Sequence, residues 1–336
     1  MDKIILENII LENTKTIFAY FLNKEVSEYD ASDLTQDTID ARYREWDNLQ
    51  YWFRAVEKFA PWVNKIHFLT WGHIPKWLDV NNPKLHIVNH KDYIPSEFLP
   101  TFNSHTIELN IHRIEGLSEH FVYFNDDVFL TSPVKETDFF KNNLPCDYFA
   151  LDCIYFAPDS AGAYNGNNME IINKHFVKSN QFKLYKFKKY IKLRYGIKNL
   201  YRTIVLMKWP WFPGFRYDHL ANCFLKSTLT TVWDAEEEIL RATCMDKFRS
   251  KRNVNQWIFK YWQLASGNFH PRPSLGNAFH LKITPNLRLK EAIEMQSYKI
   301  ICINDTARTQ NFEAHRDMVK ESFQKILPNK CSFEIQ

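Results

Sequence analysis

Apolar residues in this chain recur with two different periods, and the change from one to the other marks out its elements. Leu49, Trp52, Phe53, Val56 and Phe59 fall three and four residues apart, which predicts a helix with one apolar face that Pro61 ends. Short, nearly unbroken apolar runs follow: KIHFLT at 65–70, LHIVN at 85–89 and HFVYF at 120–124. These read as buried strands. Between the last two, Ser104 can cap a helix running to about Arg113, with Glu108 and His112 four residues apart on one face. Strands alternating with helices at this spacing predict an α/β fold, a mainly parallel sheet flanked by helices.

Elsewhere the pattern is less regular. The apolar-acidic opening, MDKIILENIILENTK, can form one helix, TIFAYFL either a strand or a second helix, and EVSEYDASDLTQDT a polar connector. Residues 135–180 show no period, and AGAYNGNN within them predicts a flexible loop. Helices are expected at 234–245 and 253–265, then a strand in SYKIICIN and a closing helix over roughly 311–326. Residues 135–215 are expected to form an insertion or subdomain of helical, basic and aromatic character.

Composition narrows the class. With 336 residues, 45% hydrophobic, 16% aromatic and only 8 Gly, the chain can bury a sizeable core, so disorder and low complexity are excluded. There is no apolar run of about 18 residues that would predict a membrane span. The N-terminus lacks the basic-then-apolar layout of a signal peptide. Six cysteines at 146, 153, 223, 244, 302 and 331 are scattered without a C-x-x-C pair, which fits buried thiols in a reducing cytoplasm better than a zinc or disulfide framework. Net charge is only +4, but Lys and Arg concentrate at 180–212, interleaved with Tyr, Phe and Trp. No nucleic-acid module accompanies them, which leaves a solvated helix face or an interfacial helix on an anionic membrane.

The candidate chemistry gathers at strand ends. HFVYF runs directly into Asn125-Asp126-Asp127, where ligands collect in parallel α/β sheets. Adjacent carboxylates repel, and a divalent cation carrying a pyrophosphate would relieve that repulsion; a turn cap with a solvated neighbour is the simpler reading of the dipeptide alone. KIICI ends the same way in Asn304-Asp305, so the two ends together suggest one site reached from two strands. His219 in FRYDHLANCF is a packed residue or a general base. Arg249 in KFRSKRNVNQW is a solvated turn or, just before a helix start, a phosphate ligand acting with helix amides. In PTFNSHTIELNIHR, the seven-residue spacing of His105 and His112 has no matching third ligand, which favours packing for His112, whereas Asn103 and Ser104 are expected to contact substrate.

At this point RYREWDNLQYWFRAVEKFAPWVNKIHFLTWGHIPKWL, NPKLHIVNHKDYIP, LPTFNSHTIELNIHRIEGLSEHFVYFNDDVF and ICINDT resemble the Stealth proteins, hexose-1-phosphate transferases of bacterial surface polysaccharide synthesis related to the animal N-acetylglucosamine-1-phosphotransferase. The resemblance spans about 41–335 and covers the second, third and fourth of four conserved regions. It implies a nucleotide-sugar transferase-like fold and a UDP-sugar donor with Mg2+ or Mn2+. A hexose 1-phosphate such as N-acetylglucosamine 1-phosphate would pass to a polysaccharide or lipid-linked glycan hydroxyl, releasing UMP. Carried over residue by residue, Asp126 and Asp127 bind metal or orient the reacting groups. His219 matches a candidate base, Arg249 a phosphate-facing arginine and Asn304-Asp305 the acidic end of the fourth region. Asp127, His219 and Asp305 are therefore the expected catalytic residues, and Asn103, Ser104, Arg113, Arg249 and Asn304 are expected at the donor. The implied location is the cytoplasm, at the inner face of the membrane.

Two departures qualify the resemblance. Nothing matches the W-V-D-G-N-D strand end of the first region, so residues 1–40 are expected to be a divergent or truncated segment: either a central strand is lost and a sheet edge exposed, or residues 1–25 replace the missing element. Leu220-Ala221-Asn222-Cys223 replaces a proline-containing run. Two rival readings therefore stand beside the transferase: a metal-dependent glycosyltransferase, and an inactive remnant with a binding role.

Overall fold

The structure, a computed structural model, describes residues 46–157, 160–182, 188–281, 285–305 and 309–335, together with the backbone of a strand at 8–12. That strand, β1 (Asn8–Glu12), is followed by α1 (Leu49–Phe59), β2 (Lys65–Thr70) and β3 (Leu85–Asn89). Next come the short helix α2 (Ser104–Leu109), β4 (His120–Asn125) and β5 (Val128–Leu130), then β6 (Phe140–Lys141), β7 (Leu144–Asp147), α3 (Gly162–His175) and α4 (Ile197–Leu206). β8 (Asn222–Leu225), α5 (Lys226–Met245), α6 (Trp257–Ser266), β9 (His270–Pro271) and β10 (Gly276–His280) lead to α7 (Leu287–Glu294), β11 (Ile300–Asn304) and α8 (Phe312–Ile326).

The main sheet has the order β3-β2-β1-β4-β8. β1 runs parallel to β2 on one side and to β4 on the other, with Glu12 opposite Asn125. Of the two expectations, replacement holds: NIILE supplies the central strand, and no sheet edge opens between β2 and β4. The same finding corrects the helix expected in the apolar-acidic opening: two parallel neighbours satisfy both backbone edges of β1, which local propensity does not foresee. TIFAYFL and the acidic connector lie outside the described residues. The chain leaves β1 for β2 and β3 on one side and returns to β4 on the other, so the strand order reverses between the carboxyl ends of β1 and β4.

β4 shows how one strand serves two cores. Val122 and Phe124 pack with Trp52, Phe53 and Phe323 on one face, and Phe121 and Tyr123 with Leu109, Leu229 and Ile258 on the other. A period of two buried on both sides is what an apolar run in a covered sheet means. α1 presents Trp52 edge-on to Phe124 at 5.7 Å and Phe53 to Phe68 at 6.0 Å, while Arg54 pairs with Glu334 at 2.7 Å. Burying each such ring contributes about 1.5–3 kcal/mol.

A second sheet, β10-β11-β5, continues from the turn after β4, with β5 antiparallel to β11. A third apolar cluster gathers Phe149, Tyr190, Tyr195, Phe215, Tyr261 and Phe269. The expected loop AGAYNGNN is instead the start of α3. Its amides are taken up by the neighbouring loop, Asn168 Nδ2 by Asn255 Oδ1 at 2.7 Å and Asn167 Nδ2 by the Lys251 and Asn253 carbonyls, and that removes the usual competition of Asn with a helix. The helix expected over 104–113 stops at Leu109, because Asn110 Nδ2 turns back onto the Thr106 carbonyl at 2.8 Å and a 3-10 turn follows. The helix expected at 234–245 begins at Lys226, with a kink at Glu236. All six cysteines are unbridged, and only Cys153 is exposed.

Candidate active site

β4 ends in Asn125-Asp126-Asp127 at the point where the strand order reverses. The turn is short because β5 begins at Val128 and immediately pairs with β11. That pairing carries the Ile303 amide to the Asp127 carbonyl at 2.8 Å and lets Cys302 Sγ donate to Asp127 Oδ2 at 3.3 Å. Asn304 and Asp305 lie at the end of the same strand. The two acidic strand ends thus meet, one from each sheet.

His219 comes to this point from the segment before β8. Its Nε2 stands 3.5 Å from Asp127 Oδ2, with the imidazole about two-fifths exposed and the carboxylate mostly buried. Its φ of +40° lies in the left-handed region, which costs a residue with a side chain roughly 1–3 kcal/mol and concentrates at functional positions. Burial pulls the His219 pKa down. The charge and hydrogen bond of Asp127, with the charge of Glu108, outweigh both that and the opposing Arg249, so it sits above its ordinary value.

Behind His219 lies a group that the sequence did not mark as functional. Glu108 on α2 is buried, and that burial raises its pKa to about 7 against the lowering effects of Arg249, the Gln256 amide, His219 and Ser104. Gln256 donates its backbone N–H to Glu108 Oε2 at 3.4 Å, and Arg249 Nη2 donates to Ser104 Oγ. Ser104 and Glu108 are one helical turn apart, the only signal in the sequence. Cys302 carried none, being one apolar residue in an apolar strand.

The structure redistributes several expected roles. Asn103, expected at the donor, is fully buried. Its Oδ1 accepts the His105 amide at 3.1 Å, and its Nδ2 donates to Asn253 Oδ1 at 3.1 Å and the Asp246 carbonyl at 3.2 Å. It caps α2 and locks the Arg249 loop. Arg113, also expected at the donor, lies over Trp233 at 4.9 Å and donates to Asn110 Oδ1 at 3.0 Å. The amides at the start of α6, expected to bind phosphate with Arg249, are engaged within the protein by Glu108, Asn255 and Gln256. Ser104 and Arg249 do come together.

The metal expectation also changes in detail. The donors that converge among the described residues are Asp127, His219 and Cys302, their ligand atoms within 4.8 Å of one another; Asp126 is not in that group. Cys302 Sγ donates to the Asp127 carboxylate, and His219 Nε2 faces it. The hard donor of this set is the Asp127 carboxylate oxygen, the type that Mg2+ and Mn2+ take.

Fold and site together define an α/β protein with an acid–imidazole–guanidinium cluster at a topological switch point. A family signature described as Stealth protein CR2, conserved region 2, matches residues 42–147. The capsular polysaccharide phosphotransferase WcwK of Streptococcus pneumoniae is 42% identical over 96% of this chain and 98% of its own length. The receptor polysaccharide phosphotransferase WefC of Streptococcus gordonii is 42% identical over 87% of each, and the exopolysaccharide phosphotransferase cps2G of Lactiplantibacillus plantarum 36% over 90% and 89%. The chain belongs to the Stealth family of polysaccharide phosphotransferases. Among solved structures, the galactosyltransferase LgtC with donor and acceptor sugar analogues covers 97% of this chain and 98% of its own at 9% identity and a TM-score of 0.39, a likeness that carries no argument about the site.

Proposed function

We propose that the protein transfers a hexose 1-phosphate, such as N-acetylglucosamine 1-phosphate, from a UDP-sugar to a glycan hydroxyl during surface polysaccharide synthesis. The observation that carries this reading is the meeting of Asp127 with His219 at the junction of two acidic strand ends, with the Arg249 cation within electrostatic reach of His219. In the reaction the acceptor oxygen attacks the phosphorus that bears the sugar. The P–O bond to the bridging oxygen breaks, UMP leaves, and a sugar–phosphate–sugar diester remains. His219 presents Nε2 to Asp127, so once deprotonated it takes the acceptor's proton at Nδ1, while Asp127 orients the ring and stabilises the imidazolium that forms. Arg249, held by Ser104 and facing Glu108, offsets charge on the phosphates, and Asn304 and Asp305 border the same space. Asp127 would hold Mg2+ or Mn2+, which would supply further neutralisation of the pyrophosphate when bound.

The site reads as cytoplasmic, since every cysteine is unbridged, and it acts at the inner membrane face on a polymer or lipid-linked acceptor. No helix among the described residues is long and apolar enough to cross a membrane. The test is to incubate the protein with a UDP-sugar, a glycan acceptor and Mg2+ or Mn2+ and to identify the nucleotide product. UMP supports the proposal, whereas UDP would make the protein a glycosyltransferase. Neither product, together with no calorimetric heat from the donor, would make it a binding remnant.

A further inference from the structure

From Ile171 to Tyr217 the chain carries twelve Lys or Arg and no Asp or Glu, although the whole molecule nets only +4. The positive charge is thus segregated, and the remainder of the protein is net negative. The fold divides this segment into two faces. Tyr190, Tyr195, Thr203, Leu206 and Phe212 turn inward, and Lys178 is buried with its ammonium on the Leu206 carbonyl at 2.8 Å. Leu193, Ile197, Tyr201, Val205, Trp209 and Trp211 turn outward and are between 51% and 78% exposed. Ile197, Tyr201 and Val205 follow at four-residue steps, so they form one stripe along α4. Exposed Lys198 lies within α4, and exposed Lys208 follows just after it.

An exposed stripe this apolar marks a contact surface, and the charge around it selects the partner. An amphipathic helix with aromatic and aliphatic residues on one face and lysines beside them matches the boundary between lipid headgroups and acyl chains, where Trp and Tyr settle and anionic lipids attract the cations. We infer that α4 and the Trp209–Trp211 turn form a docking surface for an anionic lipid bilayer. The surface is tied to the candidate site. Arg202 on α4 approaches Asp152 at 3.7 Å, Arg216 approaches the same carboxylate at 3.5 Å, and Arg216 also reaches Asp218 at 3.6 Å, beside His219. A bilayer held here lies against the element that carries the candidate base, so an acceptor anchored in that bilayer is delivered near it. The surface itself is independent of which donor the site uses.

The experiment is sedimentation of the full chain with vesicles of phosphatidylglycerol and phosphatidylcholine, and of phosphatidylcholine alone, at about 50 mM and about 500 mM salt. Binding to the anionic vesicles at low salt that weakens at high salt is expected. The Trp209→Ala/Trp211→Ala protein should lose about tenfold in partitioning, and Lys198→Glu/Lys208→Glu at least about fivefold for each lysine removed. Both variants should keep the melting temperature of the parent and its nucleotide-release activity on a soluble acceptor. Should the tryptophan variant fold poorly, the lysine variant still decides. The inference is overturned if the parent ignores anionic vesicles at low salt, if the lysine variant binds them as well as the parent does, or if the stripe is instead covered by a second copy of the chain, seen as a lipid-free dimer that the tryptophan changes dissolve.

Discussion

At the turn after β4, charged groups face one another: Asp127 meets His219 at 3.5 Å, and buried Glu108 lies within reach of both His219 and Arg249. Along α4 the arrangement is the reverse. Lysines are exposed, and among the described residues the rings and aliphatic chains between them are more than half exposed. The first region holds charge in a low-dielectric setting, where each group shifts its neighbours' protonation. The second leaves apolar surface in water, which costs free energy until something covers it. One region is built to change charge at a fixed point, the other to meet a broad surface.

The sharpest way to break this contrast is Asp127→Ala. If Asp127 orients the base and helps to hold the metal, turnover falls by about 10²–10⁴-fold with a melting temperature close to the parent's. An active variant would remove the acidic turn from the chemistry. Next in size is Phe149→Ala. Phe149 is buried against Tyr190 at 4.7 Å and Phe215 at 5.6 Å, beneath the outward-facing segment, so its truncation should cost about 3–5 kcal/mol in denaturant unfolding.

A smaller effect separates the buried carboxylate from the exposed cations by pH. The folded-state pKa of Glu108 is raised to about 7, chiefly by burial, from 4.5 as its ordinary value. The folded protein therefore holds this proton more tightly than the unfolded chain. The stability that goes with it is complete below pH 4.5 and is lost as pH rises to about 7, by at most about 3 kcal/mol. Glu108→Gln should flatten that part of the stability–pH curve; an unchanged curve would mean that Glu108 is not buried as a carboxyl in solution. The smallest effect belongs to the outer surface. Trp209→Ala alone should shift stability by no more than about 0.5 kcal/mol, measured by chemical denaturation, and a loss of several kcal/mol would show that Trp209 packs inside the protein.

Much of this was readable along the chain. KIHFLT and LHIVN became β2 and β3 residue for residue, and Leu49–Phe59 became α1, because an apolar run or face of that length has few other ways to leave water. The acidic strand ends were also visible, since a polar cluster after a buried strand interrupts the pattern. β1 was not. NIILE follows Glu7 and ends in Glu12, and only the two strands that flank it make it a strand. The Asn-rich start of α3 misled for a similar reason, because its amides are satisfied by a loop more than eighty residues further on.

The sequence by itself determined the periodic elements, the clustering of basic and aromatic residues, the acidic strand ends and the family, since each of these is written in neighbouring residues. Only the tertiary structure decided which groups form a site. Asp127 and Cys302 are 175 residues apart, and no local pattern couples them. It also placed Asn103 in a helix cap and Arg113 over Trp233, set the unmarked Glu108 near Arg249 and His219, and left one side of the basic–aromatic segment in water. Those outcomes depend on contacts between distant segments, where burial sets the energy of a charge and of an exposed ring.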